Sequence, residues 1–170
     1  MAEEPVFDPR AILTALEEAR VTYVVIGSLA RVLQGSDEVA HGVDICIQRK
    51  GENVDRLAKA LDRLTARPAG GPGRGVDLEP LAESESLSFA TDAGLLQVVP
   101  VPTGTRGGWD DLRRGTQREA LGGGLRVPVA GLDDLLRMEA ALARPDHAHI
   151  LAQLRQLQEF EITMGRGIEM

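Results

Sequence analysis

The stretch Tyr23-Val-Val-Ile-Gly-Ser-Leu-Ala30, followed after eleven residues by Gly42-Val-Asp-Ile-Cys-Ile47, decides the fold. The first segment begins with apolar, β-branched residues and reaches Gly27-Ser28, which predicts a buried strand that turns there into a short helix. The second segment predicts another strand, because its apolar residues alternate with a face that carries Gly42, Asp44 and Cys46. A helix between two strands indicates an α/β domain.

Working outward, the spacing of apolar residues predicts the remaining elements. A first helix begins at the Asp8-Pro9 cap, and a third follows from about residue 51 to about residue 64. Further on come strands at 87–91 and 95–101 with a turn at 92–94, a helix at 109–121, a short strand at 126–129, and closing helices at 133–143 and 145–160. The stretch 67–75 is rich in Gly and Pro but lacks the context of a phosphate-binding loop, so it predicts a surface loop. The order of elements predicts a mixed α/β sheet with helices packed against it.

Composition narrows the class of protein. The chain has 170 residues, a length that suits one domain, and we expect a core at about 9–160 with flexible ends. The formal net charge of -7 argues against general nucleic-acid binding, which relies on Lys and Arg. The single cysteine, Cys46, excludes an intrachain disulfide and fits a cytoplasmic location. No signal peptide is recognisable, and no apolar run is long enough for a membrane span.

Several local phrases resemble the minimal nucleotidyltransferase fold, as found in small bacterial proteins that include the toxins of type IV toxin–antitoxin pairs. The phrases span about residues 20 to 157 in the order typical of the family. They are Tyr23–Ala30, Val43–Cys46, Asn53–Leu57, Phe89–Gly94, Trp109–Leu112, Val127–Leu135 and Arg144-Pro145. The resemblance implies a small mixed sheet with a C-terminal pair of helices.

The resemblance also implies a catalytic site. In such enzymes a Gly-Ser turn approaches the nucleotide phosphates, an Asp-x-Asp strand binds magnesium, and a later strand adds a third carboxylate. Here Gly27, Ser28 and Arg144 match nucleotide-binding positions, and Asp44 matches a metal ligand. Either register leaves one carboxylate on the strand: Asp44 is the second Asp and Gly42 replaces the first, or Asp44 is the first and Cys46 replaces the second.

Two further positions that the resemblance assigns to the cleft have also changed. Gln97 stands at the third carboxylate, and Glu139 stands where a Lys is expected. Asp77 and Glu79 could substitute for the missing carboxylates only if their segment is a strand that lies beside the site. The acids at 110–111 and 133–134 fit helix caps, and His147 and His149 face different directions on a helix.

The sequence therefore favours a catalytically impaired nucleotidyltransferase homologue that binds a nucleotide or a macromolecular partner. No cofactor is expected, and any magnesium would be held weakly, with Asp44 as its one carboxylate. Two alternatives stay open at this point. One is an active, magnesium-dependent nucleotidyltransferase that modifies RNA or protein, and the other is a structural or scaffold subunit with an empty cleft.

Overall fold

The computed structural model describes residues 6–70 and 75–168. The outermost parts of the ends expected to be flexible, 1–5 and 169–170, and the middle of the predicted surface loop, 71–74, lie outside these residues. The helices are α1 (Pro9–Glu18), α2 (Gly27–Leu33), α3 (Gly51–Arg63), α4 (Trp109–Leu112), α5 (Leu132–Leu142) and α6 (Ala148–Ile168). The strands are β1 (Tyr23–Ile26), β2 (Gly42–Ile47), β3 (Arg67–Pro68), β4 (Leu87–Thr91), β5 (Gly94–Val98), β6 (Gln117–Gly122) and β7 (Leu125–Val129), and short 3₁₀ turns occupy Glu79–Glu83 and Pro145–His147.

The strands form one mixed sheet in the order β3-β4-β5-β2-β1-β7-β6. The central strand pair, β1 and β2, is antiparallel, whereas β2 pairs with β5 and β1 pairs with β7 in parallel. Two antiparallel hairpins, β4–β5 and β6–β7, complete the sheet on either side. The predicted mixed α/β class is confirmed, and the central strands are buried on both faces as their apolar sequences require.

The core consists mainly of aliphatic side chains, together with the buried aromatic rings of Tyr23 and Phe89. Helix α1 is capped by Asp8, whose Oδ1 accepts a hydrogen bond from the Ala11 amide at 3.1 Å. Its buried residues, Ile12, Leu13 and Leu16, join Leu57 and Leu61 of α3 in the main hydrophobic cluster. None of the helices in the described part of the chain is long and apolar enough to cross a membrane.

The predicted helix at 109–121 is wrong beyond its first turn. Helix α4 ends at Leu112, and residues from Gln117 onward form β6, which pairs with β7 across a turn at Gly123-Gly124; Gly122, Gly123 and Gly124 all have positive φ. Strand β6 lies at the edge of the sheet and is largely exposed, so its sequence has little of the apolar alternation that marks a strand. The run of three glycines, which favours a hairpin turn, was a stronger signal in this stretch than the apolar pattern of the strand.

Two smaller boundaries also differ from expectation. Residues Arg67 and Pro68, expected in a loop, form a short edge strand against Ala90 and Phe89 of β4. The last predicted helix begins with the 3₁₀ turn Pro145–His147 and extends as α6 to Ile168. A proline that cannot donate an amide hydrogen bond is tolerated at an edge strand or in the first turn of a helix, which suits both positions.

Candidate functional site

A cleft of about 480 Å³ opens where β1 turns into α2. Its walls come from the β1–α2 turn, the loop before β2, the middle of β5, and the end of α5 with the segment that follows it. The cleft brings together most of the residues that the sequence singled out: Gly27, Ser28, Gly42, Asp44, Gln97, Glu139 and Arg144.

Asp44 lies at the centre of the cleft, packed against the turn. It pairs with Ile26 of β1, the residue before Gly27, in the antiparallel ladder. Gly27 has φ +70°, and a Cβ at this position would overlap Oδ2 of Asp44. Only glycine therefore permits both this backbone conformation and the close approach of the carboxylate.

The neighbours of Asp44 on the sheet carry no second carboxylate. Gln97 lies directly beside Asp44 on the parallel strand β5, and Gly42 is two residues earlier on β2, opposite Leu95. In-register residues on adjacent strands point to the same face, so Gln97 occupies the place where a further ligand could meet Asp44. The centre therefore offers one carboxylate and one amide.

This donor set does not fit a catalytic magnesium ion, which uses carboxylates together with the phosphates of its substrate. In the described part of the chain, no group of three or more His, Cys, Asp or Glu side chains could hold a metal ion. Asp77 and Glu79, the possible substitutes for the missing carboxylates, do not line the cleft. Oδ1 of Asp77 instead accepts a hydrogen bond from the Glu79 amide at 3.0 Å.

Electrostatics at Asp44 are set by burial and by two arginines. Burial raises the pKa of the Asp44 carboxyl, and the positive charges of Arg31 and Arg144 partly oppose that rise. The charged groups that act on the Asp44 carboxyl are therefore two guanidinium groups.

Arg31 is the centre of a buried ion-pair network in the cleft wall. Its Nε and Nη2 donate to the two carboxylate oxygens of Glu38 at 2.7 and 2.8 Å, and its Nη1 donates to Oε2 of Glu139 at 3.2 Å. Burial alone would lower the pKa of Arg31, but the hydrogen bond and charge of Glu38, with Glu139 and Asp44, raise it. This fork-to-fork geometry is the strong form of an arginine–carboxylate pair.

Glu139 is a structural member of that network. Its side chain is 1% exposed, and Oε1 lies 2.5 Å from Nδ1 of His147, which follows α5 in the 3₁₀ turn. Glu139 thus joins α2, α5 and the start of α6 through Arg31 and His147. The sequence analysis treated Glu139 only as an acid in place of an expected Lys. The structure shows that its carboxylate has two partners, Arg31 and His147.

Arg144 differs from Arg31 in its freedom. It lies just before the 3₁₀ turn, is exposed, and lines the cleft. Within residues 6–70 and 75–164, Arg144 makes no ion pair. Of the two arginines that line the cleft, it is therefore the one whose guanidinium is not bound to a carboxylate.

Cys46 corrects one expectation, because it does not line the cleft. It shares a strand face with Asp44 but is fully buried, with Sγ 3.6 Å from the carbonyl oxygen of Pro100. The segment that follows β5 covers it, with Gly108 packed against the sulfur. Burial raises the pKa of the Cys46 thiol to about 12, although Arg49 lowers it slightly, so the thiol is inert as a nucleophile or ligand.

Sequence reasoning missed Arg31 and Glu38. A signal for Arg31 existed, since it lies one helical turn after Gly27 and therefore on the same side of α2 as the turn. Glu38 lies in an irregular loop with no periodic pattern, so nothing in the sequence indicated that it would reach Arg31.

Comparison with known proteins supports the fold. The chain matches no family model, and no curated protein matches it in sequence. Among solved structures it resembles a protein of Thermotoga maritima classed as a nucleotidyltransferase, at 18% identity and a TM-score of 0.56 over 89% of this chain and 96% of that one. It also resembles the lincosamide adenylyltransferase LnuA with lincomycin bound (14%, TM-score 0.61, 89% and 99%) and ANT(2'')-Ia in complex with adenylyl-2''-tobramycin (14%, TM-score 0.52, 91% and 87%).

These likenesses show a nucleotidyltransferase-like fold over most of the chain. The fold expected from the sequence is thereby confirmed. At such low identity the comparisons carry the architecture alone, and what the cleft does must be argued from its own residues.

Proposed function

We propose that this protein uses the cleft of a nucleotidyltransferase-like fold to bind a nucleotide and does not transfer it. One observation carries the proposal. Of the three central positions, Gly42, Asp44 and Gln97, only Asp44 has a carboxylate.

Nucleotidyl transfer depends on electrostatic stabilisation of the charge that develops on the phosphate. A site that replaces two carboxylates with a glycine and an amide cannot assemble the cations that this stabilisation requires. Arg31 is a poor substitute for those cations, because its Nε, Nη1 and Nη2 each already donate to a carboxylate of Glu38 or Glu139.

Binding places weaker demands on the site than catalysis does, and three features support it. The cleft volume of about 480 Å³ suits a small ligand. The Gly27-Ser28 turn lines the cleft beside Asp44, and Arg144 offers a cation for a phosphate. LnuA is named an adenylyltransferase, and ANT(2'')-Ia is in complex with adenylyl-2''-tobramycin, which makes a nucleotide the first ligand to test.

The transfer test uses each of the four nucleoside triphosphates, radiolabelled, with magnesium or manganese and with the protein itself, tRNA or a protein pool as acceptor. The wild type should incorporate no label. Incorporation by the wild type that is lost in Asp44→Ala would refute the proposal and support an active enzyme.

The matching gain-of-function variant restores the carboxylates as Gly42→Asp with Gln97→Asp. Gln97 is exposed and accepts the change without crowding, whereas a Cβ at Gly42 would lie 3.1 Å from the carbonyl oxygen of Leu95. Gly42→Ala therefore controls for this contact, and Gln97→Asp alone isolates the third position. Activity in the double variant alone would assign the loss of transfer to the missing carboxylates.

Binding is tested separately by calorimetry with the same nucleotides. Arg144→Gln should weaken binding by about tenfold or more, because a hydrogen bond to a charged group contributes roughly 1.5–3 kcal/mol. Arg126→Gln is the control, since Arg126 is also exposed but lies on β7 outside the cleft. Absence of binding by the wild type would favour the alternative of a scaffold with an empty cleft.

A further inference from the structure

The segment that carries Arg144 has an unusual backbone. Helix α5 ends at Ala143, which takes the left-handed conformation, with φ 50° and ψ 45°, although it is not a glycine. Arg144 follows in an extended conformation, with φ -84° and ψ 114°, and precedes Pro145, which disfavours a helical residue before it. A left-handed alanine persists only where the surrounding structure imposes it. Contacts outside these three residues must therefore fix the turn.

One such contact joins the turn to the buried wall of the cleft. Nδ1 of His147 lies 2.5 Å from Oε1 of Glu139, whose side chain is 1% exposed and whose other oxygen is bound by Arg31. The amide of His147 donates to the carbonyl oxygen of Arg144 at 3.0 Å. Because Glu139 is buried in α5 and bound at both oxygens, it is a fixed point. His147 links this point to Arg144, through its ring on one side and its backbone on the other.

Arg144 is the end of this chain of contacts that faces the ligand. Its positive charge acts on the Asp44 carboxyl and opposes the rise in pKa that burial causes, so the guanidinium lies toward the centre of the cleft. A long exposed side chain keeps many rotamers, and the region that its head group can reach is set by the backbone that carries it. Fixing that backbone before the ligand arrives reduces the ordering that binding must overcome.

We propose that His147 is a positioning residue of the cleft: held by Glu139, it sets the turn at 143–145 so that Arg144 meets the phosphates of the bound nucleotide. This inference rests on the proposed function, which assigns the phosphate contact to Arg144. His147 also lines the cleft, but its role is exerted through Arg144 and not by contact with the ligand. The carboxylate of Asp146 does not hold the ring, because its Oδ2 is 3.8 Å from Nε2, too far for a hydrogen bond.

The test is a double-mutant cycle in which calorimetry measures the affinity for the four nucleoside triphosphates and for inorganic triphosphate, with magnesium present. His147→Ala should weaken binding of both kinds of ligand about three- to tenfold, the effect of having to order one long side chain on binding. In the Arg144→Gln background the same change should alter affinity by less than about twofold, because the residue that His147 positions is gone. His147→Asn should recover most of the affinity, since its amide nitrogen can take the place of Nδ1 and donate to Glu139.

His149→Ala is the matched control, because His149 is exposed on α6 and does not line the cleft. Circular dichroism checks the fold of each variant. If His147→Ala does not fold, Glu139→Gln takes its place in the cycle, because it weakens the same contact while Arg31 keeps both hydrogen bonds to Glu38.

Two results would overturn the inference and leave nucleotide binding intact. One is wild-type affinity in His147→Ala, and the other is a loss that persists undiminished in the Arg144→Gln background, which would mean that His147 contacts the ligand itself. Failure of His147→Asn to recover affinity would also overturn it, since the hydrogen bond to Glu139 would then have no part in the effect. If the wild type binds neither nucleotide nor inorganic triphosphate, the proposed function itself fails and the inference fails with it.

Discussion

Replacing Glu139 with lysine, the residue that the family resemblance leads one to expect there, should strongly destabilise this protein. The Glu139 side chain is 1% exposed, and its two oxygens face Nη1 of Arg31 at 3.2 Å and Nδ1 of His147 at 2.5 Å. The Arg31 side chain is itself only 9% exposed. Glu139→Lys would therefore place an ammonium group in a buried position against a guanidinium.

The size of the effect follows from the burial of the pair. Removing one partner of a buried ion pair costs about 3–5 kcal/mol, and the added like charge raises the loss further. For a chain of this length each kcal/mol lowers the melting temperature by about 2–4 °C, so a fall of roughly 10 °C or more is expected. Glu139→Gln should cost less, about 1–3 kcal/mol, because Arg31 keeps both hydrogen bonds to Glu38.

Urea unfolding followed by circular dichroism measures these differences. The control is Glu18→Lys, which breaks the pair between Glu18 and Arg63, whose side chains are 63% and 51% exposed. That change should alter stability by no more than about 1 kcal/mol. Equal stability of Glu139→Lys and the wild type would refute the assignment of Glu139 to a buried network and would restore the simpler view of an exposed, decayed phosphate contact.

Three further predictions concern single residues of the cleft. Glu38→Gln should destabilise the protein at neutral pH, because Arg31 and Ser36 lower the pKa of Glu38 in the folded state despite its burial. The charge of Glu38 therefore stabilises the protein above the unfolded pKa, and this contribution is lost as pH falls through the lowered folded pKa. The urea midpoints of variant and wild type should accordingly converge in acid. Cys46, with its pKa raised by burial to about 12, should resist a thiol reagent at pH 8 in the native state and react fully in urea; fast native labelling would contradict its burial. Gly27→Ala should cost at least about 1 kcal/mol in thermal unfolding, because it combines a left-handed backbone with an overlap against Asp44, and a neutral result would show that the turn can relax.

The fold was largely predictable because its central elements are strongly patterned. Strand β2 occupies the predicted residues 42–47, the Asp8 cap marks the start of α1, and the apolar stripes of α1 and α3 locate both helices. The misassigned β6 is an exposed edge strand that its partner β7 stabilises through pairing. Propensity and periodicity report burial, so a strand that buries little leaves a weak signal in the sequence.

The site was predictable only where it depends on strand register. Alternation along β2 placed Gly42 and Asp44 on one face, and the family resemblance added Gln97, which the structure puts beside Asp44. The ion-pair network was not predictable, because it joins residues 108 positions apart through a loop whose path no local pattern defines. The prediction that Cys46 lines the cleft was wrong for a related reason. Alternation assigns Cys46 to a face of the sheet but does not reveal that the segment near Pro100 covers that part of the face.

The charges of the cleft bear on how a nucleotide could bind there at all. Two arginines, Arg31 and Arg144, face three carboxylates, those of Glu38, Asp44 and Glu139, so the cleft does not attract a triphosphate by net charge. Because Arg31 is committed to the glutamates, phosphate contact depends on Arg144, and the rest of the binding free energy must come from apolar burial. A nucleotide held in this way should bind with only modest dependence on salt, since a single exposed cation is screened while apolar contact is not.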